Sequence, residues 1–194
     1  MKIRGVIFDM DGTITAPYLD FAGLKAAAGI GEVDVIEYLQ SVRGKEYERI
    51  HSLLLKFEAD GVAKARLNRG ARTVLRFLAR QKIPTGLLTR NSRVSVDGVC
   101  RKFGFKFDCV ITREDGPHKP APEPIWEMGK KWGARPAELL MVGDYKWDVL
   151  CAKNAGARSV LLVNGSGLPA WAGEADFVVK RLTEVVGIIE GRPA

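Results

Sequence analysis

The chain has 194 residues, 46% of them apolar and 27% charged, a globular composition that excludes disordered, collagenous and membrane-spanning classes, and no apolar run approaches the 18 or more residues of a membrane span. The formal charge of +7 raises the question of anionic partners, but the excess is local: residues 60–106 hold 12 basic and 2 acidic side chains, the other 147 residues 18 and 21. With acidic residues interrupting the N-terminal MKIRGVIFDMDGT before any signal-peptide core, the expectation is a soluble cytoplasmic protein with no membrane partner.

Short runs rich in β-branched residues alternate with stretches of helical period, the pattern of a parallel sheet covered by helices. The first predicted strand is 4–8. Some 70 residues separate it from the second, far more than one crossover helix requires, so something is inserted. That insertion, 16–69, shows helical spacing at 19–28, 33–41 and 47–66, punctuated by Gly29, Gly31 and Gly44. It reads as a small all-helical cap. After it come strands at 85–89, 109–112, 139–143, 159–163 and 176–179, with helices at about 71–81, 94–103, 122–133, 147–156 and 182–189. The predicted fold is α/β, a three-layer Rossmann-like parallel sheet formed by 1–15 and 70–194, with the helical cap at 16–69.

The acidic residues collect at strand ends. Asp9 and Asp11 follow the first apolar run and precede Gly12 and Thr13, so a sharp turn brings two carboxylates close together. Like charges that close raise each other's pKa unless a cation lies between them or one keeps a proton. Asp144 follows LLMVG, and Asp148 lies one helical turn further on the same face. Thr89 and Asn91 follow IPTGLL, and Lys119 follows DCVIT after a short loop. Ligands of open parallel sheets bind beyond the carboxyl ends of the strands, and oxygen donors with open positions suit Mg²⁺ shared with a substrate phosphate.

These residues resemble the haloacid dehalogenase-like superfamily of aspartate-nucleophile hydrolases. Asp9-Met10-Asp11-Gly12-Thr13 looks like its DxDGT motif, Thr89 like the hydroxyl of the second motif and Lys119 like the lysine of the third. Gly143-Asp144-Tyr145-Lys146-Trp147-Asp148 looks like the GDxxxD of the fourth. The four occur in the family's order, and the insertion falls where the family places its helical cap, though it is shorter than the four-helix form common there.

The resemblance implies a Mg²⁺-dependent phosphatase acting on a small phosphorylated metabolite. Asp9 is then the nucleophile that forms an aspartyl-phosphate, and Asp11 the general acid and base. Mg²⁺ is held by Asp9, the Asp11 backbone carbonyl and Asp144, with Asp148 binding directly or through water. Thr89, Arg90, Asn91 and Lys119 are the expected phosphate contacts, with Thr89 and Lys119 neutralising the transferring oxygens. In the cap, Arg43 and Lys45 are candidates for gripping an anionic substrate. A phosphomutase of the same superfamily shares these motifs and is the main alternative. A dehalogenase of the family lacks the second aspartate, so Asp11 argues against it, and a non-enzymatic phospho-accepting module would carry its aspartate after a later strand.

Other residues read as ordinary. Thr13 bonds within the turn, and Asn91 is either a helix cap or a site-orienting group. His118 is a neighbour of Lys119, and His51 has no assigned role. Arg69, Arg72, Arg76 and Arg80 recur on one helix face. Without interleaved aromatics they predict a solvated face and no nucleic-acid partner. Trp126, Trp132, Trp147 and Trp171 read as packing residues. Cys100, Cys109 and Cys151 lack C-x-x-C spacing and read as reduced structural thiols. A monomer or weak homodimer is expected.

Overall fold

A computed structural model describes residues 2–165 and 167–192. Six strands form one parallel sheet: β1 (Gly5–Phe8), β2 (Thr85–Leu88), β3 (Cys109–Ile111), β4 (Leu139–Gly143), β5 (Arg158–Leu162) and β6 (Phe177–Val179). They lie in the order β3-β2-β1-β4-β5-β6. Every strand predicted from sequence is present within a residue or so of its expected bounds.

The sheet is covered on both faces because its strands alternate between two apolar clusters. Val6, Phe8, Leu87, Leu140 and Val142 point one way, onto α4 (Ala71–Gln81), α5 (Arg93–Phe103) and α8 (Val185–Ile189). Ile7, Leu88, Ile111 and Met141 point the other way, onto α6 (Glu123–Trp132) and α7 (Lys146–Ala155). Phe8, Ile7, Leu87 and Leu88 are fully buried, each worth roughly 1.5–3 kcal/mol over exposure. The result is the three-layer α/β arrangement expected.

Between β1 and α4 stand three inserted helices, α1 (Phe21–Ala28), α2 (Val35–Ser41) and α3 (Gly44–Lys64). They share an apolar cluster of their own, made by Leu24, Val35, Ile36, Leu39, Ile50 and Leu54 among others. The two connections to the sheet run side by side: Thr15 bridges Leu67, Ala16 N–H donates to Arg66 O, and Asn68 N–H donates to Ile14 O. The third helix begins at Gly44, three residues before the periodicity placed it, and Glu46 and Arg49 pair on its first turn. Arg72, Arg76 and Arg80 are exposed on α4, although Arg72 also lies over the Phe105 ring, while Arg69, also exposed, lies in the turn before the helix and off its predicted stripe. Among the described residues no helix is long and apolar enough to cross a membrane.

Strand order fixes where a ligand can enter. The connections from β1 lead to β2 on one side and, later in the chain, to β4 on the other, so the helices diverge beyond the ends of β1 and β4 and leave a crevice there. Extending the register by one residue sets Asp9 level with Leu88 on one side and Gly143 on the other.

Candidate active site

The crevice is a cavity of about 380 Å³. Its floor is built from the strand ends: Asp9 and Asp11 after β1, Thr89, Arg90 and Asn91 after β2, Asp144 and Asp148 after β4, and Lys119 from the loop before α6. Side chains of the inserted helices and the segment leading into them form its roof.

Lys119 is the electrostatic centre of the floor. Only 4% exposed, its Nζ donates to Asp9 Oδ1 at 2.6 Å and to Asp148 Oδ1 at 2.5 Å. Burial alone would favour the neutral amine, but the charges of Asp148 and Asp9 outweigh it and hold the ammonium firmly protonated. Asp9 is pushed up to about 7, chiefly by burial and further by Asp148, with Lys119 pulling the other way. Asp144 is pushed up to about 8 by burial and by the charges of Asp9 and Asp148. Asp11 rises to about 6 by burial, restrained by N–H donation from Tyr18 and Leu19, which lie 2.9 and 3.3 Å from its carboxylate oxygens.

Two glycines make this crowding possible. A Cβ on Gly12 would lie 2.0 Å from Asp144 Oδ2, and one on Gly143 would lie 2.1 Å from Asp148 Cγ. Gly12 also adopts φ +84°, in the left-handed region that side chains disfavour. Its carbonyl is fastened from behind by Asn164 Nδ2 at 2.6 Å and Asn68 Nδ2 at 3.2 Å. Neither asparagine carries a motif, and sequence reasoning missed both.

Thr89, 2% exposed, accepts Asn91 N–H at its Oγ1, which leaves its own hydroxyl proton to donate into the cavity. Asn91 is not the helix cap: Ser92 takes that place by accepting Ser95 N–H, while Asn91 Nδ2 donates to the Tyr18 hydroxyl at the base of the insertion. Asp148 faces Lys119 with one oxygen and the Tyr145 backbone N–H with the other, so both are engaged within the protein.

Among the described residues no group of three or more His, Cys, Asp or Glu side chains gathers as a metal cage. Mg²⁺ asks for less, since it keeps several waters and is usually held by one or two carboxylates plus substrate phosphate. Asp9 and Asp144, oxygen donors that face one cavity and are both raised by burial and neighbouring carboxylates, fit that requirement.

Three expectations need correcting. Arg43 and Lys45 do not line the cavity. Arg43 folds back on the end of α2, donating to the Gln40 and Val42 carbonyls, because those terminal carbonyls have no intrahelical partner. Arg90 does line it, but its guanidinium forks onto Asp34 at the start of α2, with contacts of 3.1 and 2.5 Å. Trp147, read as packing only, lines the cavity beside Tyr145, and Arg90 lies over its ring.

The roof held residues that sequence reasoning did not single out: Lys25, Asp34 and Glu58. Glu58 is 1% exposed and pairs with Arg113 at 2.6 Å while accepting from Ser92 and Ser95 of the sheet domain. The signal was there. Ile50, Leu54, Glu58 and Gly61 form the buried face of α3, and an acid in an apolar stripe needs a buried partner. His118 also reaches the insertion, with Nε2 2.9 Å from Gln40 Nε2, and burial and Arg90 lower its pKa.

The chain matches a family model described as haloacid dehalogenase-like hydrolase over residues 3–156. It is 31% identical to a haloacid dehalogenase-like hydrolase domain-containing protein of Arabidopsis thaliana, covering 97% of this chain and 84% of that one. It is 25% identical to the pyrophosphatase PpaX of Bacillus cereus, covering 97% of both. The fold is that of a crystal structure titled as a predicted phosphoglycolate phosphatase from Haemophilus somnus, with TM-score 0.79 and 19% identity over 97% of this chain and 98% of that one.

Proposed function

The chain belongs to the haloacid dehalogenase-like hydrolase family, and from that premise we propose that it is a Mg²⁺-dependent phosphatase that cleaves a small phosphorylated metabolite through an aspartyl-phosphate on Asp9. The inserted helices serve it as a cap. One observation carries the reading: a buried carboxylate at the end of a central strand, 2.6 Å from a buried lysine and sharing its cavity with a second carboxylate held near neutrality.

In the first half-reaction an Asp9 oxygen attacks phosphorus in line, the bond to the leaving oxygen breaks, and Asp11 gives that oxygen its proton. In the second, water attacks phosphorus, the Asp9–phosphorus bond breaks, and Asp11 takes the proton from the water. A carboxyl that titrates at about 6 is suited to both directions. Lys119 favours the ionised form of Asp9 needed for attack, against the burial that raises it, and, with the Thr89 hydroxyl, donates to the transferring oxygens. Mg²⁺ bound by Asp9, Asp144 and the Asp11 carbonyl supplies the charge that offsets repulsion between nucleophile and phosphate. Asp148 acts as a positioning residue, holding Lys119 in place.

The test is phosphate release from phenyl phosphate with and without Mg²⁺. Asp9→Asn is expected to lose at least about 10⁴-fold in turnover, and Asp11→Asn about 10²- to 10⁴-fold. Turnover without metal, or full activity in Asp9→Asn, would overturn the reading.

A further inference from the structure

We infer that the alcohol released is uncharged and carbon-rich, so that the cavity takes alkyl or aryl phosphate monoesters ahead of pyrophosphate or of esters bearing a second anionic group. The inference rests on the phosphatase reading above and adds the substrate class.

The roof is where the leaving group must sit, because the floor is taken up by the phosphoryl chemistry. Most of that roof is apolar, made by Pro17, Leu19, Phe21, Val35, Ile36 and Leu54, with Lys25, Asp34 and Glu58 as its paired charged groups. At the mouth, Tyr145 is 51% exposed and stands edge-on to Trp147 and Trp171, with ring centroids 6.3 and 6.4 Å apart. Phe21 is 47% exposed at the same cavity. An apolar lining that opens to solvent gains by covering, and a carbon chain or ring covers it.

Charge points the same way. Lys25, Arg90 and Lys119 are the cations lining the cavity among the described residues, against Asp9, Asp11, Asp34, Glu58, Asp144 and Asp148. Each cation is already engaged: Arg90 by Asp34, Lys119 by Asp9 and Asp148, and Lys25 by the Glu32 carbonyl and carboxylate. Glu58 is neutralised from behind by Arg113. The transferring phosphoryl group takes Lys119 for itself, so a second phosphate or a carboxylate would lose its water beside acidic walls and find no free cation.

Methyl, butyl and hexyl phosphate separate the possibilities, since their leaving alcohols differ little in intrinsic reactivity. With Mg²⁺ present, kcat/KM should rise by roughly fourfold per methylene until the roof is covered, the value expected for burying each CH₂. Hexyl phosphate ending in a carboxylate, hexane-1,6-diol bisphosphate and pyrophosphate should all fall below hexyl phosphate by at least about tenfold. Phe21→Lys, at an exposed position, should narrow the gap between hexyl phosphate and its carboxylate-ended analogue by reducing the first and raising the second. A flat alkyl series, or preference for pyrophosphate or the carboxylate-ended ester, overturns the inference and leaves the phosphatase reading standing. No Mg²⁺-dependent release from any ester overturns that reading, and the inference with it.

Discussion

The floor and the roof of the cavity bury charge for different reasons. On the floor, Asp9, Asp144 and Asp148 crowd round one lysine, and burial with mutual repulsion lifts Asp9 to about 7 and Asp144 to about 8. On the roof the charged groups are paired: Glu58 with Arg113 and Asp34 with Arg90 cross from the insertion to the sheet domain, and Lys25 pairs with Glu32 within the insertion. Unrelieved like charge is tolerable where chemistry uses a cation and an anionic substrate. Paired charge surrounded by apolar side chains is fastening, and it fixes how the roof sits over the floor.

The sharpest way to break this contrast is to remove the better-buried fastener. Glu58→Ala leaves Arg113, whose side chain is 7% exposed, with only the half-exposed Glu114 carboxylate at 3.8 Å and the Arg90 carbonyl as partners, and should cost about 3 kcal/mol in denaturant unfolding. Replacing both, as Glu58→Leu with Arg113→Met, should restore most of that loss, because two apolar groups owe no desolvation. If the double variant were as unstable as the single one, the pair would be acting through the hydrogen bonds to Ser92 and Ser95 instead.

The contrast also decides what could be read in the sequence. Strand periods and the positions of Asp9, Thr89, Lys119 and Asp144 were legible because each is set locally: a strand ends, a turn follows, and a charged residue lands at the sheet's carboxyl edge. The glycines at 12 and 143 were visible, but not what they admit, since the Asp144 and Asp148 carboxylates reach them from other directions. The roof was legible as helices and opaque as a surface. Arg43 and Lys45 are candidates by charge and by their place in a cap expected to reach over the site, whereas Lys25, Asp34 and Glu58 reach the cavity through the way three helices pack together, which spacing along one helix cannot give. Asn68 and Asn164 meet at Gly12 across 96 residues of chain.

The second test addresses the floor. Asp9 and Asp144 have folded pKa values of about 7 and 8 against 3.8 unfolded, so the folded state binds their protons more tightly. The stability this contributes is fully present below pH 3.8 and is lost as pH rises through about 7 and about 8. His118 has the opposite sign, its lowered pKa adding stability as pH rises through about 6.5, and the thiols of Cys100, Cys109 and Cys151, raised by burial, remove stability as pH approaches their unfolded value of 9.0, so the clean window lies between the two. Metal-free protein should therefore melt at least about 3 °C lower at about pH 8 than at about pH 7, the shift that 1 kcal/mol brings in a chain of this size. Excess Mg²⁺ should reverse the drop, because it binds the ionised pair. A melting temperature that rises across the same window without metal would mean that Lys119 alone compensates the cluster.

The smallest expected effect belongs to Asp34, and it separates two roles that share one side chain. Asp34 Oδ1 caps α2 by accepting from Ile36 and Glu37 N–H at 2.9 and 3.2 Å, and the same carboxylate receives the Arg90 fork. Its pKa is lowered because the Arg90 and backbone N–H bonds outweigh burial. Asparagine caps helices as well as aspartate does, so Asp34→Asn removes the charge and keeps the cap. With side chains 17% and 29% exposed, the ion pair should be worth about 1 kcal/mol or less, whereas Asp34→Ala also loses the cap and should cost about 1–2 kcal/mol more. Salt separates the two contributions, since screening weakens the pair and leaves the cap's short hydrogen bonds nearly untouched. If Asp34→Asn proved as costly as Asp34→Ala, and the cost shrank with salt, the roof would be held at this corner by charge, and Arg90 would be the residue that a substrate phosphate has to win from Asp34.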